Sequence, residues 1–342
     1  MTALATRRLG RTGYDISVVG AGSWAMGGAE WRYNWGAQDD ASSVRALRRA
    51  IALGVNWIDT AAVYGRGHAE EVVGHALEGI PASERPFVFT KCGLRWSDSD
   101  IFGEPGRCLR PDSLRQECDA SLRRLGVERI DLYQFHWPDL AGVDVEDSWE
   151  EMGRLIEQGK VRAGAVSNFD VALLERCEKV RHVDSLQSPL SLIDRRAGAD
   201  VIPWSADNGT GVICYSPMQA GLLSDSFSVE RVALMDRRDW RLWHTEFSHF
   251  TPPALQRNLA FRDRLRPVAE RHDATVAAVA IAWVLSWPGV TGAIVGSRSP
   301  DQVDGWIGAA AFSLTDDDLD EIEVALTDLG IGVGPTRPPT AH

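Results

Sequence analysis

The sequence predicts a (β/α)8 TIM barrel with an N-terminal β-hairpin, long loops at the C-terminal face and a C-terminal helix. Three observations carry that reading. Short apolar segments alternate with amphipathic ones eight times, an order that makes a parallel sheet covered by helices. Eight is also the strand number that closes such a sheet into a barrel of about 250 residues, leaving the surplus length to loops. The main insertions, over 95–110 and 218–253, both follow strands, which places them at the face where such barrels hold their chemistry.

Taken in order, Arg7-Arg-Leu-Gly-Arg-Thr-Gly-Tyr-Asp-Ile-Ser17 reads as a hairpin turning at Arg11-Thr-Gly13. Strands follow over 17–24, 55–61, 87–92, 130–137, 161–168, 184–190, 212–217 and 291–297. Amphipathic spacing predicts helices over 38–53, 68–78, 111–125, 145–158, 171–180, 199–208, 254–271, 276–287 and 300–310. Asp170 is placed to cap the helix from 171, and Gly54, Gly126 and Gly159 stand where helices stop. Residues 314–329 read as an acidic terminal helix. Residues 330–342, with three prolines and three glycines, read as a loose tail. The chain is thus expected to be one barrel domain over 1–342, with an ordered core over about 8–329.

The net charge of −12 argues against a nucleic-acid partner, which would want a basic face. No apolar run approaches the roughly 20 residues that span a bilayer, and the N-terminus lacks the apolar core of a signal peptide. Five cysteines, an odd number with no C-x-x-C pair, suit free thiols in a reducing cytoplasm rather than a disulfide framework or zinc site. A homo-oligomer is compatible with all of this, and no metal site is expected.

Gly20-Ala-Gly-Ser-Trp-Ala25 matches the G-x-G-x-x-A form of a dinucleotide fingerprint. That fingerprint needs a helix N-terminus directly after the glycines and an acid about 20 residues further on. Here the glycines run into Met26-Gly-Gly-Ala-Glu-Trp-Arg-Tyr-Asn-Trp-Gly36, which cannot open a helix, and the second strand ends only at Asp59. A Rossmann domain is rejected on those grounds.

Of 36 basic residues only Lys91, Lys160 and Lys179 are lysines. Lys91 lies in the apolar strand Phe87-Val-Phe-Thr-Lys-Cys92, where a charge is costly without partners. Lysine differs from arginine in that its pKa shifts readily on burial. At neighbouring strand ends stand Asp59, Tyr64 and His136, and in a barrel all such ends meet at one mouth. A tyrosine is a poor proton donor at neutral pH until an adjacent lysine cation lowers its pKa. An aspartate can hold that lysine charged, and a neutral imidazole can hydrogen-bond a carbonyl oxygen. The set forms a donor aimed at an oxygen that becomes an alkoxide as hydride reaches carbon.

With Asp59-Thr-Ala-x-x-Tyr64-Gly65, Thr90-Lys91-Cys92, Asp131-Leu-Tyr-Gln-Phe-His136-Trp137, Gly164-Ala-Val-Ser-Asn-Phe169, Tyr215-Ser-Pro-Met-Gln-Ala-Gly221 and Gly292-Ala-Ile-Val-Gly-Ser-Arg298-x-x-x-Gln302, the chain resembles the aldo-keto reductases, bacterial forms included, from about residue 8 to 329. The resemblance implies a barrel that reduces an aldehyde or ketone with NADPH, NADH being the lesser expectation. It implies Tyr64 as general acid, Lys91 and Asp59 tuning it, and His136 placing the carbonyl. It implies a cofactor site in which Ser167, Asn168 and Gln187 bind the nicotinamide carboxamide and Tyr215 stacks on the ring, with Gly22, Ser23, Trp24 and Asp59 among the other cofactor-binding residues. Ser216, Pro217, Met218, Gln219, Gly221 and Leu222 would wrap the pyrophosphate, and Gly296, Ser297, Arg298 and Gln302 would meet the adenosine phosphate. Gly305-Trp306 departs from the family's usual acid and asparagine for adenine, so Trp306 is the candidate to stack there. Two other readings share the scaffold: an NAD-dependent sugar dehydrogenase, and a cofactor-binding regulatory subunit with little turnover, like the β subunits of potassium channels.

Loops at the mouth carry Trp24, Trp31, Trp35, Trp96, Trp137, Trp240 and Trp243, interleaved with Arg32, Asn34, Arg95, Arg241 and His244. Flat apolar faces beside polar groups suit a carbohydrate-like carbonyl with hydroxyls at its edge, with or without an acidic group to engage the arginines, and Trp31, Trp96 and Trp137 are the candidate substrate contacts.

Overall fold

In the computed structural model, which describes residues 4–339, a hairpin of β1 (Thr6–Arg8) and β2 (Asp15–Ser17) precedes the barrel. The barrel strands are β3 (Val19–Gly22), β4 (Trp57–Asp59), β5 (Phe87–Cys92), β8 (Ile130–Phe135), β9 (Val161–Ser167), β10 (Ser185–Pro189), β11 (Gly211–Tyr215) and β12 (Val290–Gly296), with β6 (Leu94–Arg95) and β7 (Gly106–Arg107) pairing outside them. Eight parallel strands close in the order β10-β11-β12-β3-β4-β5-β8-β9. Outside them run α1 (Asp40–Ala52), α2 (His68–Leu77), α3 (Pro111–Leu125), α4 (Val145–Glu157), α5 (Val171–Glu178) and α6 (Val201–Asn208). The long insertion carries α7 (Val229–Ala233) and α8 (Trp240–Trp243). It is followed by α9 (Ala254–Arg264), α10 (Arg266–Arg271), α11 (Val276–Leu285), α12 (Pro300–Trp306) and α13 (Asp316–Asp328). Among the described residues no helix is long and apolar enough to cross a membrane.

Alternation along each strand sorts the interior from the helix-facing side. Leu132 joins Leu9, Ile16, Trp57, Phe89, Ile213 and Ile294 in a cluster inside the barrel, while Tyr133 and Phe135 join the larger cluster under the helices. Leu9 and Ile16 come from the hairpin, which therefore plugs the end of the barrel opposite the mouth. Gly20 exists for this packing, because a Cβ there would lie 2.2 Å from the Trp57 ring. Past Gly22 the chain enters a 3-10 turn at Trp24–Met26 and not an α-helix, so the apparent dinucleotide fingerprint does not open a Rossmann unit.

Except for β5, which ends at Cys92 as expected, the barrel strands end one or two residues earlier than their apolar runs, leaving Trp24, His136 and Asn168 on turns at the mouth. The helix expected over 254–271 is two, parting at Leu265, because Pro267 lacks an N–H and its ring crowds the preceding turn. The expected loose tail is a second difference. Residues 331–335 are fastened to the loop after β10, and Thr336 and Arg337 to α13 through Glu323 and Asp316, while 340–342 lie outside the described residues. Arg195, 2% exposed, donates to the carbonyls of Ile331 at 3.0 Å, Gly334 at 3.3 Å and Pro335 at 2.9 Å, and to Leu192. Composition favours disorder there, but one buried guanidinium with backbone acceptors on several sides overrides it.

Arg195→Met should strip those carbonyls of their donor and lower stability by about 2–4 kcal/mol. A thermal or urea melt reads this, and an unchanged midpoint would show that the C-terminal segment is not held by Arg195.

Candidate active site

The inward positions at the mouth-side end of the barrel form a polar layer above the apolar plug. Asp59 closes β4 and Lys91 lies one turn of alternation beyond Phe89 on β5. Nζ of Lys91 donates to Asp59 Oδ1 at 2.5 Å and to the Thr60 carbonyl at 2.9 Å, and lies 3.3 Å from Tyr64 Oη. Both charges are buried, a placement whose desolvation cost only close pairing can offset. On the other oxygen, Asp59 Oδ2 accepts from Gln187 Nε2 at 2.8 Å and Gln134 Nε2 at 3.2 Å. Behind the strand, buried Glu70 accepts from Thr90 Oγ1 at 2.5 Å and from Arg124 at 2.6 Å, pinning the residue beside Lys91.

Tyr64 opens a 3-10 turn after β4. Gly65 follows with φ 61°, and a Cβ there would lie 2.1 Å from the Gly27 carbonyl oxygen. That close approach seats Tyr64 against the turn bearing Trp24. His136 lies beyond β8, its ring edge-on to Tyr64 with centroids 5.6 Å apart. Burial pushes its imidazole well below the ordinary histidine range, and the charges of Lys91 and Arg107 push the same way. Burial also lowers Lys91, against the pull of Asp59. Tyr64 goes up, first by burial and then by the charge on Asp59. Burial is the largest influence on the phenol, with the Lys91 ammonium 3.3 Å from its oxygen. Tyr64 is a neutral O–H donor beside a neutral imidazole.

A cleft of about 1430 Å³ opens above this layer, larger than a typical small-ligand pocket. Gly22, Ser23, Trp24, Asp59, Tyr64, His136, Ser167, Asn168, Gln187, Tyr215, Ser216, Pro217, Met218, Gln219, Gly221, Gly296, Ser297, Arg298 and Gln302 line it, while Lys91 lies beneath its floor. Asn168, in a left-handed conformation at φ 62°, donates to the His136 carbonyl at 2.9 Å and accepts from Tyr215 Oη at 2.8 Å. That locks the Tyr215 ring at the wall. Ser216, Gln219, Ala220 and Gly221 all have positive φ, so the loop folds on itself. The amides of Gln219, Gly221 and Leu222 are donated within it. Among the described residues no acceptor takes those of Met218 and Ala220. A nicotinamide dinucleotide fits this donor set, this volume and the flat face of Tyr215.

Several sequence expectations fall elsewhere. Leu222 is fully buried in the core and does not line the cleft. Trp96 borders a separate, smaller recess with Gly28, Glu30 and Arg66, because the chain turns at the Ser97–Asp100 bridge and Arg66 pairs with Asp98 at 2.8 Å. Trp31 and Trp137 do line the main cleft. The arginines expected to face substrate have partners already. Arg32 pairs with Glu104 at 2.8 Å, Arg241 with Asp239 at 2.6 Å, and Arg95 donates to Ser113 at 3.3 Å. Arg298 donates to Gln38 Oε1 at 2.6 Å, to the Trp35 carbonyl at 3.2 Å and to that of Ala37. Trp306 donates to Ser297 Oγ at 2.7 Å and is 2% exposed. Gln134 went unassigned in the sequence, and a glutamine mid-strand gives no signal except that alternation turns it inward.

A barrel mouth with a buried lysine–aspartate pair under a tyrosine and a histidine defines a class of oxidoreductase acting on carbonyl and alcohol groups. The Aldo/keto reductase family profile matches residues 19–326, and the chain belongs to that family. It is 32% identical to an aldo-keto reductase of Bacillus subtilis over 333 residues, covering 96% of each chain. It is 30% identical to the NADH-specific methylglyoxal reductase of Escherichia coli, covering 91% of this chain and 94% of the other. The structure of glycerol dehydrogenase from Gluconobacter oxydans superimposes with a TM-score of 0.86 at 34% identity over all of both chains.

Because His136 is neutral well below the usual histidine pKa, carbonyl reduction should show no protonation step near pH ~6.5. kcat/KM measured from pH ~8 down to ~5.5 should stay level through that point. A fall with an apparent pKa near ~6.5 would mean that His136 titrates normally.

Proposed function

We propose that this chain interconverts a small, hydroxylated carbonyl compound and its alcohol, using a nicotinamide dinucleotide held across the cleft. The arrangement of Tyr64, Lys91, Asp59 and His136 around one point of the cleft carries the reading. The bound dinucleotide supplies or takes the hydride. Tyr64 Oη gives its proton to the developing alkoxide, with Lys91 Nζ at 3.3 Å as the charge that makes the phenolate left behind tolerable. Asp59 and the Thr60 carbonyl hold that ammonium in place, and His136 directs the carbonyl oxygen toward Oη by a hydrogen bond.

Substrate size follows from the aromatic walls. Trp24 stacks over Tyr64 at 6.0 Å and Trp31 lies 6.1 Å from the same ring. They narrow the space above the proton donor. Arg32, Arg95 and Arg241 are already engaged and offer an acidic substrate group no support, and a three-carbon or sugar-derived carbonyl is favoured. The names of the Escherichia coli and Gluconobacter oxydans relatives point to compounds of that size.

NADPH is the cofactor that Ser297 and Arg298 would read by charge-assisted bonds. Arg298, however, would have to leave three oxygens of residues 35–38 to do so, and Asp301 shares the lining there. A second reading, NADH used comparably, is favoured by that engagement.

Tyr64→Phe should lower reduction of methylglyoxal or glyceraldehyde below about a hundredth of wild type while leaving dinucleotide binding nearly intact. Turnover above that level would sink the assignment. Wild type should prefer NADPH over NADH by less than about tenfold in kcat/KM, and Gln38→Ala, which frees one Arg298 nitrogen, should widen the ratio. A preference of a hundredfold or so in wild type would mean that Arg298 is already free for the phosphate.

A further inference from the structure

We infer that Gln134 is a positioning residue that fixes which face of its side-chain amide Gln187 turns toward the nicotinamide. The inference rests on the proposed function, since it takes a nicotinamide dinucleotide to occupy the cleft.

Gln134 lies opposite Lys91 in the β5–β8 register, fully buried, and does not line the cleft. Directly below it the barrel is filled by Trp57, Phe89 and Leu132, so an unpaired amide there would be costly. Each of its polar atoms has a partner in the layer. Nε2 donates to Asp59 Oδ2 at 3.2 Å, and Oε1 accepts from Gln187 Nε2 at 3.0 Å. Gln187 Nε2 also donates to Asp59 Oδ2 at 2.8 Å.

Hydrogen-bond chemistry fixes the orientation of both amides. A carboxylate only accepts, so the amide atom 2.8 Å from Asp59 must be nitrogen. One N–H of Gln187 goes to Asp59 and the other to Gln134. Two anchors in different directions set the plane of the amide, which one anchor cannot. Oε1 of Gln187 is thereby turned to the cleft, and among the described residues no donor reaches it. An acceptor fixed at that wall is complementary to the N–H groups of a carboxamide. Without Gln134 the amide of Gln187 keeps a single anchor and can swing about it.

The test compares two dinucleotides: NADH and its reduced 3-acetylpyridine analogue, in which a methyl group replaces the carboxamide nitrogen. Binding is titrated through quenching of tryptophan fluorescence, which needs no turnover. Wild type should hold NADH about fivefold more tightly than the analogue, the worth of one hydrogen bond in a desolvated site. In Gln134→Leu the ratio should drop below about twofold, with affinity for the analogue little changed. Gln134→Met, an unbranched side chain of similar length, serves if the leucine variant does not fold. Equal weakening of both dinucleotides would show a packing role only and overturn the assignment, as would an undiminished ratio. A wild type that holds NADH and the analogue alike would also overturn it. If wild type binds neither NADH nor NADPH, the cofactor reading itself fails, and this inference with it.

Discussion

A lysine ammonium sealed inside a barrel constrains everything around it. Lys91 has no route to water, and its desolvation must be met by Asp59 Oδ1, the Thr60 carbonyl and Tyr64 Oη. Those partners sit on β4 and the turn after it, so the register of β4 against β5 is fixed by electrostatics as well as by packing. The same contacts leave Asp59 Oδ2 to be satisfied from across the barrel, which draws in Gln134 on β8 and Gln187 on β10. One buried charge thus ties four strands at the level of the cleft floor, above a plug of Trp57, Phe89 and Leu132.

The walls of the cleft are organised by a second ion pair. Arg241 is bound through two nitrogens to Asp239, donates to the Ala220 carbonyl at 3.2 Å, and lies 4.6 Å over the Trp35 ring. It joins the left-handed loop over 216–221 to α8, and α8 to the segment carrying Trp31 and Trp35. Trp24 lies between Tyr64 and Trp240, stacked on both, at 6.0 and 4.6 Å. The side that would hold a dinucleotide and the side that would hold substrate therefore share one covering, and Arg298 reaches the same segment through Trp35 and Ala37. A change at the adenosine end has a physical path to the space above Tyr64.

Much of this was legible in the sequence, for identifiable reasons. Lys91 stood out because arginine holds nearly every other basic position. Alternation then obliged Lys91 and its neighbours at strand ends to face one mouth. Loops were less legible, since partners fix them and spacing does not. Trp96 was misplaced because a two-residue bridge and the Arg66–Asp98 pair turn it aside. The sequence shows which arginines stand near the mouth but not what each one touches, and Arg32, Arg95 and Arg241 are held by Glu104, Ser113 and Asp239. A local signal existed: Asp194, Asp236 and Asp239 each stand two residues before the arginine they hold. The direction of the Tyr64 shift was illegible, because it depends on how completely the site is dried, and burial is a property of the assembled fold.

The account stands on Lys91 acting as a compact point charge in a space too small for a planar guanidinium. Turnover and dinucleotide binding measured side by side for Lys91→Arg and Lys91→Met test this most directly. The account predicts that Lys91→Arg, though it keeps the charge, falls below about a hundredth of wild-type kcat and close to Lys91→Met. A Lys91→Arg enzyme within about tenfold of wild type would contradict it, showing that any cation at the floor of the cleft suffices.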